Sequence, residues 1–438
     1  MRLIRLLAVL SLLASACAGA DSSSSTASTA STVPGDSPVA GMLVASDVER
    51  DDPLAPASDV ELVVAGLRSF AAELYTELVG DGNMVFSPVS VYTALAMTYA
   101  GAAGTTADEM AALLGDGLSF EAFHSAMNAF DQVLATRNHE ANASEGAVEI
   151  AVANSLWGQQ GMAFEAPFLD LLARDYGSGM RIVDFIDPSA REEGRRAIND
   201  WVAGETNDRI EELIQQGVLD DMVRLVLVNA VYLDAAWQSP FEPAATTDDP
   251  FLLLDGSETS VETMHQRVTV PYGVGEGWQA VRIPYAGNEL GMLVVLPDIG
   301  SYEQVEDSLS LGLLDTVSGA LSLEPVMLSL PKWEIRTQVG LVPPLRALGL
   351  SEATSGAADF SGMTGEGHLF ISEVVHEAWI SADEAGTEAA AATAAIMSLT
   401  ALPLDPIPFT VDRPFIFALE DIETGSILFM GRVVDPGS

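Results

Sequence analysis

The chain has a single cysteine, Cys17, in 438 residues. No intramolecular disulfide can form, so packing alone must hold whatever fold it adopts. Cations are nearly as scarce. Lysine and arginine together number 19 against 63 acids, a formal net charge of −44, and Lys332 is the sole lysine. A surface of that sign repels nucleic acids, heparin-like polyanions and anionic membranes, which excludes nucleic-acid binding and disfavours heparin. The acidity by itself supports solubility. Histidines number five and show no ligand spacing, so no metal site and no cofactor are expected. Neither Gly-x-Ser-x-Gly nor His-Glu-x-x-His occurs, and no internal repeat stands out.

What is present is ample apolar material. Hydrophobic residues make up 48% of the chain, enough for a sizeable core. The N-terminus has the layout of an export signal. Arg2 and Arg5 precede an apolar run, Leu6 to Leu13, too short to span a bilayer. Ala14-Ser15-Ala16-Cys17 then resembles a bacterial lipobox, with Ala14 where Leu is usual, and that resemblance implies cleavage before Cys17 and lipidation of its thiol. Residues 1–17 are therefore expected to be a lipoprotein-type signal. The chain would be exported, as a cell-surface lipoprotein or into the extracellular space. Residues 18–57 are rich in Ser, Thr, Ala, Pro and Asp and read as a disordered tether. The folded domain is expected over 58–438.

Within that domain, Ser58 and Glu61 have capping-box spacing, and Val60, Val63, Leu67, Phe70, Leu74 and Leu78 recur at helical intervals. Ser87-Pro88 reads as the start of a second helix, and Thr106 with Glu109 as the cap of a third that stops at Gly115. Helices are also expected near 120–134 and 190–203. Val223 to Leu233 is a near-continuous apolar run, as in a central strand covered on both faces. Trp278–Tyr285 and Leu290–Leu296 flank Gly287-Asn288 as a hairpin, and 326–330, 369–380, 415–419 and 427–433 read as further strands. Helices first and long strands later indicate an α+β domain.

One stretch does not fit. Glu384-Ala385-Gly386-Thr387-Glu388, the alanines 389–392, Thr393, Ala394 and Ala395 follow a strand with no stop signal. Ile396-Met397-Ser398-Leu399-Thr400-Ala401-Leu402 then leads to Pro403, Pro406 and Pro408. A connection this long inside a compact domain is usually functional or disordered. Its bland reading is a linker or an alanine helix. These residues, however, resemble the hinge of the serpin family: Glu384, Gly386, Thr387, Glu388, Ala389, Ala390, Ala391, Ala392 and Thr393 match it in order. Asn83-Met84-Val85-Phe86-Ser87-Pro88-Val89-Ser90, Asn229-Ala230-Val231-Tyr232 with Trp237, Ala358 to Met363, Phe409 to Leu419 and Leu428 to Val433 resemble other serpin segments. The resemblance runs from about Ser58 to the end.

The resemblance implies a serpin fold: a large central β-sheet, additional sheets, about eight or nine helices and an exposed reactive-centre loop over about 384–408. It implies a suicide inhibitor and not an enzyme. A serine protease cleaves the loop, forms an acyl-enzyme, and is trapped when the cleaved loop enters the main sheet as a new strand. With period two, Thr387, Ala389, Ala391, Thr393, Ala395 and Met397 point one way, and none is charged. No proline interrupts 384–402. The family places the residue before the cut sixteen positions beyond the hinge acid, giving the bond Thr400–Ala401, with Leu399 and Leu402 as alternatives. None is basic, so elastase-, chymotrypsin- or subtilisin-like targets are expected. Ser87, Ser90, Asn229 and His376 match a hydrogen-bonding cluster beneath the sheet. Trp237 matches the tryptophan where insertion starts, and Lys332 a lysine that pairs with the hinge acid, here Glu384. The expected partners are serine proteases and, through the lipid, a membrane; the expected state is a monomer. Two alternatives stand beside this reading: a non-inhibitory serpin acting as a binding or chaperone module, and a hydrolase built on Ser329-Leu330-Pro331-Lys332.

Overall fold

The computed structural model describes residues 40–115, 117–141, 146–365, 369–387 and 405–438. The signal sequence with Cys17, residues 388–393 of the hinge, and the expected bait residues Leu399, Thr400, Ala401 and Leu402 lie outside the described residues. Among the described residues no helix is long and apolar enough to cross a membrane.

Sixteen strands are described. In chain order they are β1 (Met42–Val44), β2 (Met84–Phe86), β3 (Val148–Gln159), β4 (Met180–Val183), β5 (Leu225–Ala236), β6 (Thr247–Leu252), β7 (Glu258–Gly275) and β8 (Trp278–Pro284). Then follow β9 (Leu290–Pro297), β10 (Ser322–Pro331), β11 (Trp333–Gly340), β12 (Glu373–Ala382), β13 (Gly386–Thr387), β14 (Ile407–Thr410), β15 (Phe415–Asp421) and β16 (Ile427–Val433). The longer helices are α1 (Ala57–Leu78), α2 (Pro88–Tyr99), α3 (Gly104–Leu114), α4 (Phe120–Ala135), α5 (Ala166–Tyr176) and α6 (Pro188–Glu205). Four shorter ones are α7 (Tyr302–Asp307), α8 (Leu313–Ala320), α9 (Val342–Ala347) and α10 (Ser361–Thr364).

The strands form two sheets. The seven-stranded sheet has the order β1-β4-β3-β5-β12-β11, with β13 pairing β5 off that path. The nine-stranded sheet runs β14-β10-β7-β8-β9-β15-β16-β2, with β6 on β7. β5 lies at the centre of the first sheet and is covered on both faces, which explains its continuous apolar sequence. Its odd residues Leu225, Leu227, Val231, Leu233 and Ala235 belong to the main core. Its even residues Val226, Val228 and Ala230 pack in a second core with Ile198 and Val202 of α6. This alternation decides which side chains an added strand would bury.

Three expectations need correction. The tether does not reach 57. Met42–Val44 pairs with Ile182–Met180 at the sheet edge, and Arg50 donates to Asn128 Oδ1 (2.8 Å) and Asp131 Oδ2 (2.6 Å) of α4. A three-residue apolar strand disappears when composition is averaged over a polar stretch. Ser58 does not cap α1. The helix starts one residue earlier, so Ser58 lies inside it and its hydroxyl donates to Asp59 Oδ1 (3.1 Å). Thr106 and Glu109 likewise lie inside α3 and serve tertiary contacts. Thr106 Oγ1 accepts from Asp359 N (2.9 Å), and Glu109 Oε2 accepts from Glu352 N (2.8 Å). By contrast Ser87 does cap α2, its hydroxyl accepting from Ser90 N (3.3 Å), and Gly115 at φ 105° ends α3 where only glycine is unstrained.

Candidate functional site

The site lies between β5 and β12. These parallel neighbours pair from Val226↔Glu373 to Val231↔Ala378 and no further. Above that, Tyr232, Leu233 and Asp234 of β5 pair with Ala151, Ile150 and Glu149 of β3 on one side, but have no ladder partner on the β12 side among the described residues. The Tyr232 and Trp379 rings stack at 6.4 Å. At the top of this gap, Gly386–Thr387 re-enters as β13, antiparallel to β5, with Gly386↔Ala236 and Thr387↔Ala235.

Local chemistry turns the chain back there. Asp383 Oδ1 accepts from Ala385 N (2.8 Å) and Gly386 N (3.1 Å), an Asx turn that reverses direction after β12. Asp383 N donates to Gly386 O (2.9 Å). Trp237 anchors the turn from outside. Its ring nitrogen donates to Asp383 O (2.9 Å) and its backbone N–H to Ala385 O (2.9 Å). The Trp237 ring stacks on Tyr285 at 4.5 Å and 14°, and Tyr285 shares a 2.7 Å hydrogen bond with the fully buried Thr387 hydroxyl. Lys332 Nζ lies 3.3 Å from Glu384 Oε2, and Thr246 donates to Glu384 Oε1 (2.7 Å). Burial works to raise the Glu384 carboxyl, but the Thr246 and Lys332 interactions outweigh it and hold it below the usual range.

A polar cluster sits about 20 Å lower along β5, six residues from Ala235. His376 Nε2 accepts from Ser87 N (3.0 Å). Ser90 Oγ donates to Asn154 Oδ1 (2.6 Å), which also accepts from Asn229 Nδ2 (3.3 Å). Asn154 faces Asn229 across β3–β5, and His376 faces Asn229 across β12–β5. The cluster therefore spans the three strands and the N-terminus of α2. Ser87, Ser90, Asn229 and His376 come together here; Trp237, Lys332 and Glu384 come together at the top. Sequence reasoning missed Asn154, Asp383, Thr246 and the role of Tyr285. Only Asp383, three residues before a glycine, carried a local turn signal.

His376 gives the cluster a pH signature. Burial lowers its pKa from 6.5 to about 3. The folded protein thus holds it neutral while the unfolded chain protonates below 6.5. Its stabilising contribution is complete above that pH and declines as pH falls toward 3. Between pH 6.5 and 4.5 the wild type should lose up to about 2.5 kcal/mol more stability than His376→Gln. Denaturant unfolding of both proteins at the two pH values measures this, because His124, also lowered to about 3 by burial and then Arg174, is common to both. Parallel pH dependence would contradict it.

The hydrolase alternative fails on geometry. Ser329 Oγ is 2.9 Å from His265 Nδ1, and His265 Nε2 is 3.2 Å from Asp249 Oδ2. Ser329, however, is mid-strand in β10, laddered to His265 on one side and Thr410 on the other. Its backbone is committed to the sheet, with no strained turn or helix start to expose the hydroxyl beside oxyanion donors. Lys332 is engaged by Glu384 and Glu262. Among the described residues no group of His, Cys, Asp and Glu could hold a metal ion.

Comparison with known proteins agrees with this architecture. Residues 65–436 match the family described as Serpin (serine protease inhibitor). An uncharacterized serpin-like protein of Thermococcus kodakarensis is 37% identical over 382 residues, covering 85% of this chain and 86% of that protein. Leukocyte elastase inhibitor A of Rattus norvegicus is 36% identical over 380 residues, covering 84% of this chain and 97% of the relative. Among solved structures, the thermophilic serpin tengpin in its native state superposes with a TM-score of 0.77 at 28% identity, covering 89% of this chain and 96% of that one.

Proposed function

Because the chain belongs to the serpin family, we propose that it inhibits serine proteases by strand insertion. One observation carries the proposal: Gly386–Thr387 already stands as the first two residues of a strand on β5, and the next β5 positions, 232–234, have no ladder partner on that side among the described residues. Continued in the same register, residues 388–393 would run opposite 234–229. Thr387, Ala389, Ala391 and Thr393 would then align with Ala235, Leu233, Val231 and Asn229. Leu233, Val231 and Ala235 face the main core, where a charged or bulky side chain would be costly.

The chemistry follows. The protease serine attacks the Thr400 carbonyl, and the amine of Ala401 leaves with a proton from the protease histidine. The N-terminal part of the loop stays esterified to the protease. Insertion carries that ester away before water cleaves it, and a shift of about 1 Å in the protease triad slows deacylation by roughly a hundredfold. Thr400 and its neighbours suit elastase-like, chymotrypsin-like or subtilisin-like enzymes, and the similarity to leukocyte elastase inhibitors supports the first of these.

Mixing the protein with elastase, chymotrypsin and subtilisin tests the reading. At least one should give a covalent complex that survives SDS, and the released C-terminal fragment should begin at Ala401 or within three residues of it. Cleavage by every protease without trapping would refute inhibition.

A further inference from the structure

The ladder between β5 and β12 ends at Val231↔Ala378, and the next residue on each strand is aromatic. Tyr232 and Trp379 lie 6.4 Å apart at 19°, so a stacked pair takes over where the backbone bonds stop. Both sit on the α6 face of the sheet. Val228 and Ala230, four and two residues before Tyr232, belong to the second core, as does Val375, four residues before Trp379.

Arg209 lies over this pair. Its guanidinium carbon is 5.6 Å from the ring centroid of Trp379, on β12. On β5 the same side chain interacts with the Tyr232 hydroxyl and attracts the Asp234 carboxylate. One cation therefore engages both sides of the gap. The loop that carries it is fixed from either end. Asn207 (φ 50°) and Asp208 (φ 60°) directly precede it, two of the three non-glycine residues with positive φ among the described residues. Such conformations persist only where the surroundings impose them, and they gather at switch regions. Asn207 Nδ2 donates to Glu149 Oε1 of β3 (3.2 Å), Ile210 is fully buried in the second core, and Gln338 Nε2 of β11 donates to Leu213 O (2.6 Å). Residues 207–213 thus cross four neighbouring strands, β3, β5, β12 and β11, and place Arg209 at the gap.

From this arrangement we infer that Arg209, Tyr232 and Trp379 form a clasp at the foot of the gap that sets how readily the sheet opens. Arg209 is a positioning residue, acting through the two rings. The consequence for trapping rests on the proposed insertion. A strand added between β5 and β12 would set the Tyr232 and Trp379 backbones about 10 Å apart, two strand spacings. The present stack cannot survive that separation. Release of the clasp is therefore a step on the way to insertion, and it competes with hydrolysis of the ester.

Hydrogen exchange on the uncut protein tests the clasp. Trp379→Leu should speed exchange of the amides at 229–231 and 376–378, the last ladder steps beside the gap, by about tenfold. Arg209 is exposed, so Arg209→Gln leaves the core intact; it should speed the same amides about two- to fivefold. Arg209→Lys keeps a cation over the ring and should restore most of the protection. Unchanged exchange beside the gap in either Trp379→Leu or Arg209→Gln, or a general rise that includes the nine-stranded sheet, overturns the clasp. Melting supplies a second readout. A chain cut within 399–402 has its clasp already open, so each substitution should lower Tm of the intact protein and leave that of the cut one unmoved. An equal fall in both would reduce these contacts to ordinary packing and overturn the inference. The ratio of trapped to cleaved protein should rise several-fold in Trp379→Leu, and an unchanged or lower ratio overturns the coupling to insertion. If the protein neither traps a protease nor gains stability on cleavage, the inhibitory reading falls, while exchange in the uncut protein still decides the clasp.

Discussion

Thr387→Arg is expected to abolish protease trapping while leaving cleavage of the loop intact. Thr387 is fully buried at the head of the gap, and its hydroxyl is paired with Tyr285. Its register partner Ala235 faces the main core. An arginine there must either bury a charge beside the Trp237–Tyr285 stack or hold the hinge out of the sheet. Burial of an unpaired charge costs several kcal/mol, so insertion should lose to hydrolysis of the ester. The yield of covalent complex should fall by at least about a hundredfold, with the protease released active. Thr387→Ser keeps the hydroxyl and should trap nearly as well as the wild type. Complex yield measured on denaturing gels decides it, and an undiminished yield for the arginine variant would sink the insertion argument.

Gly386→Ala should produce the next largest loss, for a reason of space and not of charge. A Cβ at Gly386 would fall onto the carbonyl oxygen of Ala235 and within 2.7 Å of Ala236 Cα. These are backbone atoms of the central strand, which cannot turn aside as a side-chain tip can. Gly386 is therefore required because β13 and β5 approach closely at the start of the inserted strand. Overpacking of this kind costs about 1–3 kcal/mol, so the ratio of trapped to cleaved protein should drop roughly tenfold. Equal partition in the two proteins would show that the hinge enters by another register.

Much of this was legible in the residues themselves. β5 announced itself as a strand buried on both faces, and Ser87-Pro88 and Gly115 marked helix ends correctly, because each carries its signal locally. The capping boxes at Ser58 and Thr106 misled, since the same side chains satisfy partners brought in by the fold. β7 spans eighteen residues, yet it was not foreseen, because His265, Gln266 and Arg267 break its apolar alternation where it passes through the nine-stranded sheet. At the site, the hinge pattern and the placing of Trp237, Lys332 and Glu384 came from resemblance. Asn154 could not be found that way: an asparagine in a half-buried strand looks ordinary until Ser90 and Asn229 are seen to converge on it. Asp383 was hidden among neighbouring acids in a chain with 63 of them.

The central claim is that residues beyond Thr387 are a spare strand for the gap beside β5. Thermal unfolding of the intact protein and of the same protein cut once within 399–402 tests it most directly. About ten new ladder hydrogen bonds at roughly 1 kcal/mol each, spread over about 400 ordered residues, should raise Tm by about 10 °C or more after cleavage. A cut chain that melts at or below the temperature of the intact one would contradict the account.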